Sequence, residues 1–438
     1  MTAAPSSLLY ELQQAETSCI KCGFCLPTCP TYRLTGSEAA SPRGRIDLMQ
    51  SVAYGELAAE EIYDQLDLCL GCRACETACP AGVEFGKLLE TGRAVARVGA
   101  KPSRLGAWGH YLGLHVLLTS PGLLWWVASL LRGYQVSGLQ TLLRSTGLFE
   151  RLSPAIAAAE AAMPDIPAMA ARRRVPSETV PTGDMRDTVA MLTGCVMPEL
   201  LPQVNHATVQ VLAANGYAVM APPAQRCCGA LQAHAGELEK ARQLAKHNIE
   251  VFTSAGASWV VVNSAGCGAM MKGYGHLLAG DADVADRAQA FSQRVCDISE
   301  LLATTPLRGI LRPLPMRVAY DDPCHLLHGQ RVREQPRTLL RQVPGLELLD
   351  VPEGDWCCGS AGTYNVVHAD MAQALLDRKM AHLASIQPEL IVTGNPGCLL
   401  QLRQGVKCHQ LGVEVMHPIE VLAQAYALAT PASSALTR

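Results

Sequence analysis

The sequence predicts an α+β multidomain protein, with an N-terminal α-helical domain followed by two repeated α/β units. Three observations predict it. The spacing Cys-x2-Cys-x2-Cys-x3-Cys-Pro occurs twice near the N-terminus, as Cys19, Cys22, Cys25 and Cys29 before Pro30, then as Cys69, Cys72, Cys75 and Cys79 before Pro80. Four further cysteines recur as a second set about 130 residues downstream of the first. Apolar runs alternate with helical patterns around both of those sets, as parallel α/β structure requires.

Residues 1–100 form the first domain. Ser41-Pro42 reads as an N-cap followed by proline at the first helical position, opening a helix through Ile46, Met49 and Val52. A second helix fits Ala58–Leu68 and delivers the chain to Cys69. Residues 101–185 are a helical region over Leu105–Leu152 and a linker. The linker carries Pro154, Pro164, Pro167, Pro176 and Pro181, a proline density that ends regular structure.

Residues 186–305 and 306–438 are the two copies. The stretch from Thr188 to Cys195 corresponds to Arg317 to Cys324, Cys227-Cys228-Gly229 to Cys357-Cys358-Gly359, and Val260 to Cys267 corresponds to Leu390 to Cys398. Ile298-Ser-Glu-Leu-Leu-Ala and Ile419-Glu-Val-Leu-Ala close them. Each copy reads strand, Cys, helix, strand, Cys-Cys-Gly, helix, strand, Cys, helix. That order implies two units with short, buried parallel strands related by a pseudo-twofold axis.

Composition narrows the function classes. The 438 residues exceed one ordinary core, and 49% hydrophobic with 17% charged residues describes filled globular interiors. A net charge of −3 gives no reason to expect nucleic acid. The densest basic run, Arg172-Arg173-Arg174, reads as solvated linker. Met1–Leu12 lacks the charged-then-apolar order of a secretory signal, so 18 cysteines point to metal or cluster chemistry in a reducing cytosol rather than to disulfides. The apolar stretch Leu105–Leu131 contains Trp108, Trp125 and Trp126 but is broken at Pro121-Gly122, too short on either side to span a bilayer. It reads as a buried helical pair joining domains, or as an interfacial segment docking on the membrane or a partner subunit.

The cysteine runs carry the chemistry. Three cysteines two residues apart wrap one [4Fe–4S] cubane, and the fourth, before proline, turns away to ligate the other; this is the bacterial ferredoxin pattern. It assigns Cys19, Cys22, Cys25 and Cys79 to one cluster and Cys69, Cys72, Cys75 and Cys29 to a second. Zinc is the competing ligand reading, but its usual pattern is paired Cys-x2-Cys knuckles. Gly23 and Gly71 let backbone approach inorganic sulfur closely, while Lys21, Arg73 and Glu76 read as solvated surface charges.

The repeat cysteines are Cys195, Cys227, Cys228 and Cys267, then Cys324, Cys357, Cys358 and Cys398. Both sets fall at the ends of parallel strands, where α/β folds place their sites. An additional cluster, a redox-active thiol group and a vestigial site are all compatible with them. Cys296 and Cys408 lie outside the pattern as ordinary residues. His206, His234, His325 and His328 lie near repeat cysteines, and none is assigned a catalytic role.

The paired units resemble the Cys-Cys-Gly domains of the heterodisulfide reductase B subunit, which bind non-cubane clusters. That pattern ends each unit with Cys-x2-Cys, whereas this chain has Cys267-Gly-Ala-Met270 and Cys398-Leu-Leu-Gln401. Over nearly its whole length the chain resembles the iron–sulfur subunits of bacterial glycolate oxidase (glycolate dehydrogenase). The matching stretches are Cys22-Gly-Phe-Cys-Leu-Pro-Thr-Cys-Pro-Thr-Tyr32, Pro42-Arg-Gly-Arg-Ile46, Cys227-Cys-Gly-Ala230, Ser264-Ala-Gly-Cys-Gly-Ala269 and Cys357-Cys-Gly-Ser-Ala-Gly-Thr-Tyr364. Lactate-oxidising and anaerobic glycerol-3-phosphate dehydrogenase subunits share the layout.

Oxidising a 2-hydroxy acid needs a flavin or nicotinamide, yet no Gly-x-Gly-x-x-Gly follows a strand. The nearest string, Gly266-Cys-Gly-Ala-Met-Met271, fails at the third glycine. The resemblance therefore implies that FAD-bearing partner subunits oxidise glycolate to glyoxylate. This chain would relay their electrons towards a quinone or similar acceptor, in the cytoplasm or peripherally on the cytoplasmic face of the inner membrane. A thiol–disulfide enzyme of the heterodisulfide type is the alternative.

Overall fold

The computed structural model describes residues 6–14, 19–99, 104–152, 157, 160, 161 and 163–428. Pro154 and the boundary expected at residue 100 lie outside them. Helices Ser6–Gln14, Pro42–Ala53 and Phe85–Gly99 enclose the first core, in which Leu12, Ile46, Met49, Leu66, Leu89 and Val95 are buried together. Ser41 caps the helix it was expected to open, its Oγ accepting from Gly44 N at 3.0 Å. The expected second helix is a 3-10 turn, Ala59–Ile62, running into an α-turn, Tyr63–Asp67. Among the described residues, no strand precedes Glu178.

The helical region comprises Arg104–Tyr111, a π-helical stretch over Leu112–Leu117, Pro121–Val136 and Leu139–Ser145. Its two apolar arms, Gly106–Leu117 and Pro121–Val136, meet at 114°, and among the described residues no single helix is long and apolar enough to cross a membrane. The pair is not buried, which corrects the first of the two expectations. Trp108 is 66% exposed, Trp126 62% and Leu130 70%. One face is nevertheless tied down. Arg172, expected in solvent, is buried and pairs with Glu199 at 2.9 Å while Nη2 donates to Ser129 Oγ. Burial with its carboxylate partner replaces the expected solvation.

The repeat forms two sheets. The first contains β1 (Glu178–Thr179), β2 (Asp187–Leu192), β3 (Tyr217–Met220), β4 (Trp259–Val262) and β5 (Val295–Asp297), in the order β1-β3-β2-β4-β5. The second contains β6 (Met316–Tyr320), β7 (Leu346–Leu349), β8 (Leu390–Val392) and β9 (Glu414–Met416), in the order β7-β6-β8-β9. Apart from the antiparallel β1, every pairing is parallel, and the two orders match strand for strand. The units pack reciprocally: helix Pro202–Ala214 of the first against Pro418–Ala425 of the second, and Ile298–Ala303 against Glu334–Arg341. One core runs between them, with Met191, Val204, Leu212, Ala319, Leu376 and Ile391 all buried in it.

Candidate electron-transfer sites

The two N-terminal runs fold into like loops. The residue before the second cysteine and the residue after it both take positive φ: Lys21 (54°) and Gly23 (84°) in the first, Gly71 (62°) and Arg73 (64°) in the second. Glycine and a charged residue exchange places between the loops. The backbone turn is the same, and a single glycine per loop relieves half of its cost.

These loops wall two cavities. One is lined by Cys19, Cys22, Cys25 and Cys79 with Gly23, Arg43 and Pro80. The other is lined by Cys29, Cys69, Cys72 and Cys75 with Thr31, Arg45 and Phe85. Each cavity thus gathers three cysteines of one run and the fourth of the other. Burial raises the Cys72 and Cys75 thiols well above their ordinary range, so metal charge must supply the drive for ionisation. Among the described residues, no three His, Cys, Asp or Glu side chains are spaced to hold a single metal ion. The residues fit a larger, multi-iron group, because four sulfur-bearing side chains converge on each cavity from looped backbone.

The charges around the cavities differ. At the first, Lys21 pairs with Asp47 at 2.8 Å and Arg43 with Glu38 at 2.6 Å, both on the surface. At the second, Arg73 pairs with Glu76 at 2.8 Å, and Glu76 is buried and also accepts from Gly86 N at 2.7 Å. The expectation of solvated charges fails for Arg73 and Glu76, because the Phe85–Gly99 helix covers them. Arg45 is fully buried in the same wall, donating to Gln65 O at 2.7 Å and to Thr31 Oγ1 at 3.2 Å. Thr31 Oγ1 lies 3.3 Å from Cys29 Sγ.

The repeat cysteines sit where the strands end. In order, β2, β3 and β4 lead to Cys195, to Cys227-Cys228 and to Cys267, while β6, β7 and β8 lead to Cys324, to Cys357-Cys358 and to Cys398. These cysteines follow the carboxyl ends of the central strands, where strand order reverses. Within each set the free thiols lie near enough to perturb one another in series, Cys195, Cys227, Cys228 and Cys267, and Cys324, Cys357, Cys358 and Cys398. The neighbouring Cys358 thiol, then burial, holds the Cys398 thiol well above its ordinary range. Of the remaining cysteines, Cys296 is buried in β5, where burial pushes its thiol up to about 12, and Cys408 is exposed.

The second set adjoins the second cavity. Cys72, Leu70, Cys357, Tyr364 and Leu375 share one apolar cluster, with Cys324 and Trp356 packed against it. Tyr364 Oη donates to Leu68 O at 3.0 Å, and His325 Nε2 lies 3.0 Å from Gly71 O. His328 Nδ1 lies 2.6 Å from Thr77 Oγ1, and His234 Nδ1 lies 2.9 Å from Glu90 Oε1. Three of the four singled-out histidines therefore join the N-terminal domain to the repeat; His206 instead meets Arg173 O. Burial and the neighbouring His234 lower His325 to about 3, so its ring is neutral.

Thr31, Arg45 and Tyr364 were inside quoted motifs but carried no assigned role. A Thr two residues after the last cysteine and an Arg in a helix with a mostly apolar inner face were the available signals.

A helical domain with two four-cysteine cavities and two α/β units with strand-end cysteines define a modular iron–sulfur protein. A family model described as 4Fe-4S dicluster domain matches residues 16–83, and one described as cysteine-rich domain matches 189–272 and 318–403. A third, glycolate oxidase iron-sulfur subunit, linker region, matches 107–163. The chain is 39% identical to the probable glycolate oxidase iron-sulfur subunit of Bacillus subtilis (strain 168), over 93% of each chain. It is 35% identical to the glycolate oxidase iron-sulfur subunit of Escherichia coli (strain K12), again over 93% of each. Lactate utilization protein A of Geobacillus sp. (strain WCH70) is 28% identical over 53% of this chain and 98% of that one. The chain belongs to the family of glycolate oxidase iron–sulfur subunits.

Proposed function

We propose that this chain is the electron-transfer subunit of a glycolate oxidase complex, taking electrons from FAD-bearing partner subunits that oxidise glycolate to glyoxylate. The acceptor is a quinone or a similar carrier. The observation that carries the relay role is the pair of cavities, each walled by three cysteines of one run and the fourth of the other. Cys19, Cys22, Cys25 and Cys79 hold one [4Fe–4S] cluster; Cys69, Cys72, Cys75 and Cys29 hold the second. When bound, such clusters supply one-electron transfer. The chain's own part is to hold them as neighbours, exclude water and set their electrostatic surroundings. The shared packing of Cys72 with Cys357 and Cys324 makes the second repeat unit the next neighbour along the route. For contact with the acceptor side, including a peripheral membrane surface, we assign the exposed apolar face around Trp108, Trp126 and Leu130.

The test is iron and acid-labile sulfide per chain after anaerobic purification, with EPR on the reduced protein. About eight irons, as two cubanes require, with a co-purifying FAD protein and glycolate-dependent dye reduction, is the expected result. Preference for lactate or glycerol 3-phosphate would overturn the substrate. Substantially more iron, with a signal responding to disulfide, would favour a thiol–disulfide enzyme with a further cluster at the repeat cysteines.

A further inference from the structure

Arg45 is the one fully exposure-free arginine in the wall of a four-cysteine cavity, with 0% of its surface accessible. Its hydrogen-bond partners are neutral: Gln65 O, which accepts from Nε, and Thr31 Oγ1, which accepts from both terminal nitrogens. No carboxylate among the described residues forms an ion pair with it. Every other cation on these cavity walls has one: Lys21 has Asp47, Arg43 has Glu38 and Arg73 has Glu76. A buried guanidinium without a counter-charge is costly, and hydrogen bonds to neutral oxygens satisfy its protons without balancing its charge.

We infer that Arg45 is the built-in counter-charge for the cluster held by Cys29, Cys69, Cys72 and Cys75, and that it raises that cluster's reduction potential relative to the other. The inference rests on the ligand assignment proposed above. A cubane held by four thiolates carries net negative charge and gains one more on reduction. A fixed cation in the same wall favours the more negative form, as an opposite charge favours any ionised group in low dielectric. Burial acts the other way, since the second set of cysteines is more enclosed than the first, in which Cys22 is exposed. Without Arg45 the enclosed site would therefore be the harder of the two to reduce, and electrons would stall before the neighbouring second repeat unit. Arg45 is a positioning residue in the electrostatic sense: it reaches Cys29 only through Thr31. The surface cations of the first cavity cannot do the same work, because solvent and their own carboxylates screen them.

The experiment is an EPR-monitored redox titration of the full chain, anaerobically loaded, as wild type, Arg45→Gln and Arg45→Lys. In Arg45→Gln the second cluster is expected to become harder to reduce by at least tenfold in the equilibrium constant, 59 mV for a one-electron couple. The first cluster should stay in place, and Arg45→Lys should recover most of the shift. Unchanged potentials in Arg45→Gln, an equal shift of both clusters, or Arg45→Lys behaving as Arg45→Gln would overturn the inference. Should Arg45→Gln fail to hold its second cluster, Arg45→Lys decides: a second cluster at the wild-type potential supports the counter-charge, and its loss refutes it. Wild-type protein with iron for one cubane only would instead sink the ligand assignment beneath it.

Discussion

Lys379 and Asp321 form an ion pair inside the second repeat unit, with side chains only 2% and 1% exposed. Thr393 Oγ1 also donates to Asp321 Oδ2 at 3.0 Å. In the first unit Leu192, Asn248 and Val262 stand at these places, by the matching buried faces of the two helices and the strand registers, and none of the three is charged. The units therefore share topology and cysteine order while differing in charge beside the thiols. Lys379 lies close enough to Cys358 and Cys398 that their negative forms would raise its pKa further, after Asp321.

This pair gives the first prediction. Lys379→Met leaves Asp321 buried without its cation, and breaking one side of such a pair costs about 3–5 kcal/mol. The triple variant Asp321→Leu, Lys379→Met, Thr393→Val replaces the whole buried polar group with apolar side chains and should fall within about 1 kcal/mol of wild type or above it. Chemical denaturation of the three proteins checks this. Equal losses in the single and triple variants would contradict it.

Crossed ligation makes the second prediction. Cys79→Ser should damage the cluster of Cys19, Cys22 and Cys25, and Cys29→Ser that of Cys69, Cys72 and Cys75. EPR of each reduced variant resolves which signal is lost. Loss confined to the sequence neighbours of the substituted cysteine would refute the crossing.

How much of this was legible follows from the range of each interaction. The cysteine runs, the Ser41 cap and the alternation of strand and cysteine along each copy are written in local spacing, so they could be read directly. Strands β5 and β9 have three residues each, too few to show a period, and they were missed. Arg172 and Glu76 read as surface charges, and Arg45 carried no role, because burial is conferred by elements distant in sequence. Glu199, for example, meets Arg172 only after the linker folds back. The three interface histidines were visible as residues, but their partners Gly71, Thr77 and Glu90 lie in another domain.

Glu237 supports a third prediction, on pH. The His110 hydrogen bond, with Arg97 and His115 nearby, outweighs burial and holds its carboxyl at about 2. It fastens the Arg104–Tyr111 helix and the π-helical stretch to the first repeat unit. A depressed carboxyl contributes stability that is complete above its ordinary value of 4.5 and lost as pH falls towards about 2. Hydrogen exchange over residues 104–117 should accelerate through that window in wild type. Glu237→Gln should show faster exchange already at pH 7 and less further change on acidification.

Gly236 separates backbone strain from domain contact, and this is the fourth prediction. Its φ is +77°, and an added Cβ would lie 2.8 Å from Ala94 N and from Arg93 C, in the helix that borders the second cavity. Beside it, Arg93 Nη1 donates to His234 O at 2.7 Å, so the collision falls on the seam between the N-terminal domain and the first repeat unit. Gly256 has φ +64° with nothing within 4 Å of an added Cβ. Alanine at Gly256 should cost only the left-handed strain of about 1–2 kcal/mol. Alanine at Gly236 adds a backbone overlap that no rotamer relieves, so the seam must open. Thermal melts should show the larger loss for Gly236→Ala. Hydrogen exchange in residues 85–99 should rise in that variant alone, because the helix loses its support while the strain at Gly256 stays local. Equal melts, or unchanged exchange in 85–99, would mean that the seam gives way without cost and that Gly236 serves only its own turn.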